Sequence, residues 1–355
     1  MHPDDRTRCD ARAKRWIDAL VLSRPVHLRP VDLDVVFLGT SGSAPTAQRA
    51  TSATLVRRGG DRLLVDCGEG TQRQLLRSDV GLVDLEDVFL THFHADHYLG
   101  LPGMLKTFAL RGRDVPLTLY GPSGLRDLLT SLRRIFGKLT YPLETVELAP
   151  GDVIGRGDYE IRAFAVDHGP QALGYLIAET ARPGRFDVAT ADSLGVPPGR
   201  ERGALQRGEA VVLASGETVR PEQVLGPARP GRSLALAGDT APAGSVVDAV
   251  AGVDLLVHEA TFCADEKQRA RETRHSTAGE AALVAREAGA RLLALTHISS
   301  RYFGGEAADE ARQLFPDTVV PRDFDIIEIP YLERGDPVLV PRGARRGRGP
   351  AAADA

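Results

Sequence analysis

The stretch Thr91-His92-Phe93-His94-Ala95-Asp96-His97 holds three histidines and one aspartate within seven residues. The preceding run Val88-Phe89-Leu90 is apolar and predicts a short buried strand, so the cluster lies on the loop at the strand's carboxyl end. Imidazole nitrogens and carboxylate oxygens at this density suit a borderline divalent ion such as zinc. Without an ion, a buried histidine cluster would leave ring nitrogens unpaired or charged, which is unfavourable. The alternative, a polar loop with incidental histidines, accounts poorly for the HxHxDH spacing.

Composition sets broad limits on the rest of the chain. Its 355 residues allow one large domain or two ordinary ones, and 43% apolar with 26% charged residues is typical of a globular protein. The net charge of -4 gives no support for nucleic-acid binding, although a local basic patch remains compatible with it. Three scattered cysteines show no disulfide framework, and no apolar run is long enough to span a membrane. We therefore expect a cytoplasmic protein without a membrane partner.

Apolar runs alternate with amphipathic segments on both sides of the cluster. Strands are predicted at 32–38, 53–57, 62–66, 88–90, 116–120, 160–166, 172–178, 233–237, 254–257, 291–295 and, as the last strand, 325–329; helices are predicted at 98–111, 124–136 and 278–288. This order predicts a mixed α/β sheet with helices on its faces.

Three segments differ from this core. Residues 1–30 form an N-terminal extension with a short amphipathic helix at 11–22, and residues 341–355 form a tail predicted to be disordered. Residues 181–232 are rich in proline, glycine and arginine and have weaker periodicity, so they read as an inserted flexible arm in the domain 31–340. A charge-rich arm is usually just solvated, and contact with nucleic acid is the alternative; both stay open on composition alone.

Polar side chains recur where predicted strands end. After the first cluster they are His168, Asp239, the pair His258-Glu259, and His297, with His275 on an adjacent loop. Ligands at the carboxyl ends of neighbouring strands converge on one crevice. Five histidines and two aspartates exceed the needs of one tetrahedral zinc, so two ions are expected, with Asp239 as the natural bridging ligand.

Taken together, these motifs resemble the metallo-β-lactamase superfamily and, within it, the short-form tRNase Z family. By itself, the HxHxDH cluster indicates a resemblance to the superfamily and does not distinguish its families. The segments His258-Glu259-Ala260-Thr261 and His275-Ser276-Thr277 resemble the HEAT and HST loops of tRNase Z, and Asp66-Cys67-Gly68-Glu69-Gly70-Thr71-Gln72 supports the match. The similarity runs from about Val35 to His297 and a little beyond. The resemblance implies an αββα sandwich.

The resemblance also implies residue roles. One zinc would be held by His92, His94 and His168, the other by Asp96, His97 and His297, with Asp239 bridging; manganese is the alternative ion. Asp96 would also orient or deprotonate the attacking water. Glu259 and His275 would pass a proton to the leaving 3′ oxygen, which is chemically sensible for an alkoxide leaving group. The alternative for His275 is a structural place beside the N-cap of the next helix.

The implied activity is removal of 3′ trailers from precursor tRNA by a homodimer in which the arm serves as a tRNA-binding exosite. Arg49 and Arg301 would contact substrate. In the family the loop after the first strand often reads PxKxRN, whereas here it is Pro45-Thr46-Ala47-Gln48-Arg49-Ala50. This departure bears on the cleavage position and not on the hydrolytic chemistry. A small-molecule phosphodiesterase of the same fold is the alternative function, and an inactive RNA-binding or partner-binding subunit is a second one.

Overall fold

The structure is a computed structural model, and it describes residues 32–82, 85–169 and 171–344. The predicted N-terminal extension with its helix at 11–22, and residues 345–355 of the predicted tail, lie outside the described residues. Among the described residues, none of the helices has the length and apolar character needed to cross a lipid bilayer.

The described residues form short strands and helices in alternation. The strands are β1 Leu33–Gly39, β2 Ala53–Arg58, β3 Asp61–Val65, β4 Asp87–Phe89, β5 Leu117–Pro122, β6 Leu143–Leu148, β7 Val153–Gly155, β8 Tyr159–Ala165, β9 Leu173–Glu179, β10 Val211–Val212, β11 Thr218–Val219, β12 Ser233–Leu236, β13 Leu255–Glu259, β14 Leu292–Thr296, β15 Thr318–Val319, β16 Ile326–Glu328 and β17 Val338–Val340. The helices are α1 Thr71–Arg77, α2 Ala95–Tyr98, α3 Leu101–Leu110, α4 Leu125–Phe136, α5 Val188–Ser193, α6 Arg200–Gln206, α7 Gly244–Ala249, α8 Lys267–Thr273, α9 Ala278–Ala288 and α10 Gly305–Arg312.

Two large sheets carry the fold. One has the strand order β17-β16-β1-β2-β3-β4-β5-β6, and the other has the order β15-β14-β13-β12-β9-β8-β7. Strands β3 to β6 pair in parallel in the first sheet, and β12 to β15 pair in parallel in the second. The carboxyl ends of these parallel strands carry the polar loops that the sequence singled out, which brings those loops together at one edge.

Apolar side chains are buried in three layers. One cluster joins the inner faces of both sheets, a second lies between the first sheet and helices α1, α3 and α4, and a third lies between the second sheet and helices α7, α9 and α10. In β1, Val35 and Phe37 belong to the inner cluster, whereas Val36 and Leu38 belong to the helix-facing cluster. Alternate residues point to opposite faces, so a strand buried on both sides has apolar residues at successive positions, as β1 does from Val35 to Leu38. The predicted αββα sandwich is confirmed.

Two predicted boundaries are wrong. The helix predicted at 98–111 begins later, as α3 at Leu101, and Tyr98 instead ends the separate short helix α2. The Gly100 backbone amide donates to the Cys67 carbonyl, and a Cβ at Gly100 would lie 2.1 Å from the Gly68 carbonyl oxygen. This close approach of two backbones interrupts the helix. The last strand is β17, which pairs with β16 and follows the strand predicted to be last.

The arm falls within a separate compact unit, Ala178–Arg232. This unit has its own apolar cluster of Ala191, Val196, Leu205, Val219 and Val224. Its eight arginines are accompanied by seven acidic residues. Ion pairs join Arg202 to Asp192, Arg207 to Glu209 and Arg232 to Glu179, so part of the basic character is neutralised internally. The domain boundaries that the sequence suggested stay a prediction.

Candidate metal centre

The seven predicted metal ligands come from five separate segments. His92 and His94 follow β4, and Asp96 and His97 lie in α2. His168 follows β8, Asp239 follows β12, and His297 follows β14; His297 has a left-handed backbone with φ of 57°. A non-glycine residue in this conformation is uncommon and marks a position fixed by its surroundings.

The imidazoles surround one carboxylate oxygen, Oδ2 of Asp239. The Nε2 atoms of His97, His297, His92 and His168 lie 3.3, 3.4, 3.7 and 3.8 Å from that oxygen. On one side, ligand atoms of His92, His94, His168 and Asp239 lie within 4.8 Å of one another; on the other side, those of Asp96, His97 and His297 do so. Asp239 is also grouped with His275 and His297. The geometry therefore gathers both predicted ligand sets around a shared aspartate.

Hydrogen bonds on the outer side of the rings fix which nitrogen faces inward. The Nδ1 atoms of His97, His168 and His297 contact the Asp66 carboxylate at 2.7 Å, the Arg274 carbonyl at 2.7 Å and the Thr261 hydroxyl at 2.8 Å. These partners assign the proton to Nδ1 and leave Nε2 as an electron-pair donor at the centre. Such outer contacts orient a ring and increase its basicity as a ligand.

The centre fits a divalent metal on its own chemistry. Among the described residues, Nε2 of His92 is buried and has no hydrogen-bond partner. Burial lowers the pKa of His92 to about 2, so its ring is neutral and offers a lone pair. An unpaired buried nitrogen beside carboxylates is explained by an ion that it would coordinate. Five imidazoles and two carboxylates are a donor set that suits zinc or a similar ion.

The carboxylates of the centre stay ionised despite their burial. Burial alone would raise the pKa of Asp239, but the adjacent His297 and His97 rings hold that pKa well below its usual range. Burial likewise opposes ionisation of Asp96, and the adjacent His297 and His97 rings hold the pKa of Asp96 below its usual range. Oδ2 of Asp96 also accepts the Ser43 backbone N–H at 2.8 Å, which fixes its orientation.

A second charged pair lies beside the metal ligands. Nδ1 of His275 is 2.7 Å from Oε1 of Glu259, and Glu259 is almost fully buried at the end of β13. Burial lowers the pKa of His275, but the Glu259 charge and hydrogen bond outweigh it and raise that pKa to about 9. The carboxylate is held by the backbone N–H of Thr240 at 2.9 Å and by the Thr261 N–H at 3.1 Å. The imidazolium of His275 is therefore an oriented proton donor.

Two family profiles match the chain. The profile described as "Anti-Pycsar protein Apyc1" matches residues 33–150, and the profile described as "Beta-lactamase superfamily domain" matches residues 214–298. A Ribonuclease Z of Methanosarcina acetivorans is 45% identical over 303 residues, which is 84% of this chain and 99% of the relative. A Ribonuclease Z of Myxococcus xanthus is 52% identical over 271 residues, which is 76% of this chain and 88% of the relative.

This chain belongs to the ribonuclease Z family. Among solved structures, human tRNase Z, short form, has a TM-score of 0.60 and 26% identity, covering 84% of this chain and 99% of the human chain. The metallo-β-lactamase fold protein YhfI from Bacillus subtilis has a TM-score of 0.62 and 21% identity, covering 84% of this chain and all of that one. The predicted metallo-β-lactamase fold is confirmed.

The two arginines predicted to contact substrate lie on loops and not among the metal ligands. In this ribonuclease Z family member, Nη1 of Arg49 donates to the Thr40 hydroxyl at 2.6 Å and to the Pro321 carbonyl at 2.8 Å. Arg301 is 44% exposed, and its Nε lies 3.6 Å from a Glu266 carboxylate oxygen. Part of the Arg49 guanidinium is thus used inside the protein, and the substrate role of both residues stays a prediction.

Sequence reasoning missed two positioning residues. Asp66 binds Nδ1 of His97, and Thr261 joins His297 to Glu259 through hydrogen bonds of 2.8 and 2.5 Å. Asp66 carries the same signal as the ligands, because it is a polar residue directly after a strand, and the family motif DCGEGT includes it. Thr261 lies two residues beyond β13 and its sequence position alone gives no indication of its partners.

Proposed function

We propose that this chain is a zinc-dependent endoribonuclease that removes 3′ trailers from precursor tRNA. It leaves a 3′-hydroxyl on the tRNA and a 5′-phosphate on the trailer. The observation that carries the proposal is the Glu259–His275 pair, 2.7 Å apart, beside histidine and aspartate groups that could hold metal ions. A phosphodiester whose leaving group is an alkoxide needs such a proton donor. Similarity over 84% and 76% of this chain to two proteins named Ribonuclease Z supports the RNA substrate.

The residues have distinct tasks in the proposed reaction. His92, His94 and His168 would hold one ion, Asp96, His97 and His297 the other, and Asp239 would bridge them. Two divalent ions in such a site activate water and offset the charge of the attacked phosphoryl group. The Asp96 carboxylate, held by the Ser43 N–H, orients the attacking water and accepts its proton. His275 donates its proton to the leaving 3′ oxygen, while Glu259 holds the ring in place.

Three further features complete the proposal. The arm binds the tRNA body, and Arg185 and Arg200 are exposed arginines within it whose guanidinium groups have no hydrogen bond or ion pair among the described residues. The chain acts as a homodimer in which the arm of one subunit serves the active site of the other. It acts in the cytoplasm, since Cys67 and Cys263 are free thiols and form no disulfide.

The test compares a large and a small substrate. The double variant Arg185→Ala/Arg200→Ala should weaken binding of precursor tRNA while leaving cleavage of bis(p-nitrophenyl) phosphate unchanged. The Glu259→Gln variant should lose trailer cleavage far more than cleavage of this diester, whose nitrophenolate departs without a proton. Metal analysis should find two zinc ions per chain.

One rival shares every metal ligand. A small-molecule phosphodiesterase would cleave the small diester and no precursor tRNA, and the arm variant would leave its activity unchanged. That pattern would reject the endoribonuclease.

A further inference from the structure

Helix α8 ends in a tight left-handed turn directly before His275. Arg274 has φ of 55° and ψ of 49°, and its backbone N–H donates to the Arg271 carbonyl at 3.3 Å. The His275 N–H donates to the Ala270 carbonyl at 2.8 Å. These two bonds close a turn with which helices commonly end. The turn carries the chain from α8 to the position at which the His275 ring meets Glu259.

The backbone of Arg274 also contacts the metal centre. Its carbonyl accepts the Nδ1–H of His168 at 2.7 Å, and Nε2 of His168 lies 3.8 Å from Oδ2 of Asp239. One turn therefore orients a predicted metal ligand and, through the next residue, the proton donor His275. Only backbone atoms of Arg274 do this. A glycine could make the same contacts, and it adopts the left-handed conformation without the steric cost that a Cβ brings.

Left-handed residues other than glycine cluster at this centre. Five are found among the described residues, and four of them contact the centre or belong to it: Ser43, Asp66, Arg274 and His297. Asp66 and His297 use their side chains there, so glycine could not replace them. Helix α9, by contrast, ends in a glycine, Gly289, with φ of 66°. A strained arginine whose backbone role glycine could fill indicates a function for its side chain.

The side chain of Arg274 is free to bind a ligand. It is exposed, and among the described residues its guanidinium has no hydrogen bond or ion pair. The nearest acidic residue along the chain, Glu272, accepts a hydrogen bond from Gln268. A guanidinium offers N–H donors in a planar fork that matches the oxygens of a phosphate. An unpaired arginine directly before the proton donor is therefore suited to an RNA phosphate close to the scissile one.

The leaving group indicates which phosphate this is. In the proposed reaction His275 gives its proton to the 3′ oxygen that stays on the tRNA. The turn that presents His275 is then on the tRNA side of the scissile bond. An arginine side chain is longer than an imidazole, so it can extend past the nucleotide that carries this oxygen to the next phosphate in the 5′ direction.

We propose that Arg274 binds the phosphate on the 5′ side of the last tRNA nucleotide. The inference rests on the proposed function and deepens it, because it names a substrate contact beside the proton donor. The guanidinium holds the end of the acceptor strand so that its 3′ oxygen meets the His275 ring.

Two variants separate the side chain of Arg274 from its backbone. Glycine and asparagine both tolerate a left-handed backbone, and both keep the carbonyl that binds His168. Arg274→Gly and Arg274→Asn should therefore keep the zinc content and the unfolding midpoint close to those of the wild type. Each should lower kcat/KM for a precursor tRNA about 10–100-fold more than kcat/KM for bis(p-nitrophenyl) phosphate, which is the loss expected for one hydrogen-bonded charge.

The matched control is Arg286→Ala. Arg286 is an exposed arginine in the last turn of α9, at the opposite end of that helix from His275. Its replacement removes the same charge and should leave cleavage of both substrates unchanged. Equal losses on the precursor and the small diester in the Arg274 variants would show a structural role only and overturn the proposal. Wild-type cleavage of the precursor by these variants would overturn it as well.

A chemically altered substrate identifies the phosphate. The precursor is prepared with a neutral methylphosphonate in place of the phosphate 5′ to the last tRNA nucleotide. For the wild type, this change should cost about as much as Arg274→Gly does on the unmodified precursor, and Arg274→Gly should lose nothing further on the modified one. A methylphosphonate one phosphate into the trailer should instead add its full effect to that of the variant. Additive losses at the first position would overturn the contact.

Binding distinguishes this contact from the cleavage activity. The affinity of the zinc-loaded protein for precursor tRNA is measured at several salt concentrations. The slope of log K against log salt should be smaller in Arg274→Gly by about 0.7–0.9, the contribution of one phosphate contact. If the wild type cut no precursor but bound it with this difference in slope, the endoribonuclease would fall and the contact would stand. Cleavage by the wild type with equal slopes would overturn the contact alone, and equal slopes without cleavage would overturn both.

Discussion

Replacing Asp66 by asparagine should weaken metal binding, although Asp66 is not one of the predicted metal ligands. The carboxylate accepts Nδ1–H of His97 at 2.7 Å, the Thr91 backbone N–H at 2.8 Å and the Thr91 hydroxyl at 3.0 Å. An asparagine has the same shape but replaces one acceptor oxygen with an NH₂ group. If the NH₂ faces Thr91, two donors meet. If it faces His97, Nδ1 must become an acceptor, and the proton moves to Nε2.

Both orientations of the asparagine amide should weaken the site, and the loss of metal affinity or stability can be estimated. Proton transfer to Nε2 removes the lone pair of an atom that lies 3.3 Å from Oδ2 of Asp239. Loss of such an outer partner typically weakens metal affinity by about 10–100-fold, or roughly 1.4–2.8 kcal/mol. A buried donor left without a partner costs about 1–3 kcal/mol, which is the same range. Asp66→Ala would leave several donors unpaired at once, so the isosteric change is the cleaner test.

The assay is competition for zinc between the protein and a chromophoric chelator. Asp66→Asn should bind zinc about 10–100-fold more weakly than wild type and lose activity in proportion. The matched control is Asp254→Asn, because Asp254 is a buried carboxylate that accepts hydrogen bonds from Ser233 and Arg291 away from the centre. Asp254→Asn should lower the free energy of unfolding and leave zinc affinity unchanged. Wild-type zinc affinity in Asp66→Asn would refute the reasoning.

Three further perturbations have defined outcomes. Thr261→Val removes the hydroxyl between the proton donor pair and His297 and should lower kcat about tenfold or more, while Thr261→Ser should retain it; equal rates would contradict this positioning role. Gly42→Ala places a Cβ 2.6 Å from Nδ1 of His297 and should reduce bound metal, as measured by elemental analysis; full occupancy would show that the ring can shift. Burial raises the pKa of both Cys67 and Cys263 to about 12, so a thiol reagent at pH 8 should label their peptides only after unfolding. Rapid labelling of the native protein would contradict that burial.

Much of the architecture follows from local sequence patterns. Strand β1 is apolar and buried on both faces from Val35 to Leu38, and the polar residues that follow the strands mark one edge of the sheets. Strand β6 was missed because the two glutamates of its sequence LETVEL lie three residues apart, which breaks the apolar–polar alternation expected of a half-buried strand. Helix α10 was missed because its buried face consists of Ala307, Ala308 and Ala311, which give a weak apolar pattern.

The sequence was sufficient to predict the seven inward-facing residues of the site. It was not sufficient to predict the hydrogen bonds that hold them in place. Density of histidine and aspartate identified the inward-facing groups, and the structure brings all seven together. Their assignment to particular ions, and the roles of Glu259 and His275, stay predictions. The outer partners Asp66 and Thr261 depend on which side chains meet across different strands, and local patterns do not encode that.

The most direct measurement is cleavage of a precursor tRNA that lacks CCA, mapped at nucleotide resolution, with wild type and His94→Ala side by side. The proposed function predicts a cut just after the discriminator base by the wild-type protein, with a 3′-hydroxyl on the tRNA, and loss of that cut in the variant. Such a cut would also show that Ala47 and Ala50 are tolerated in the altered loop. The absence of cleavage by zinc-loaded wild type, together with variant-sensitive hydrolysis of a small diester, would contradict the endoribonuclease and favour a small-molecule phosphodiesterase.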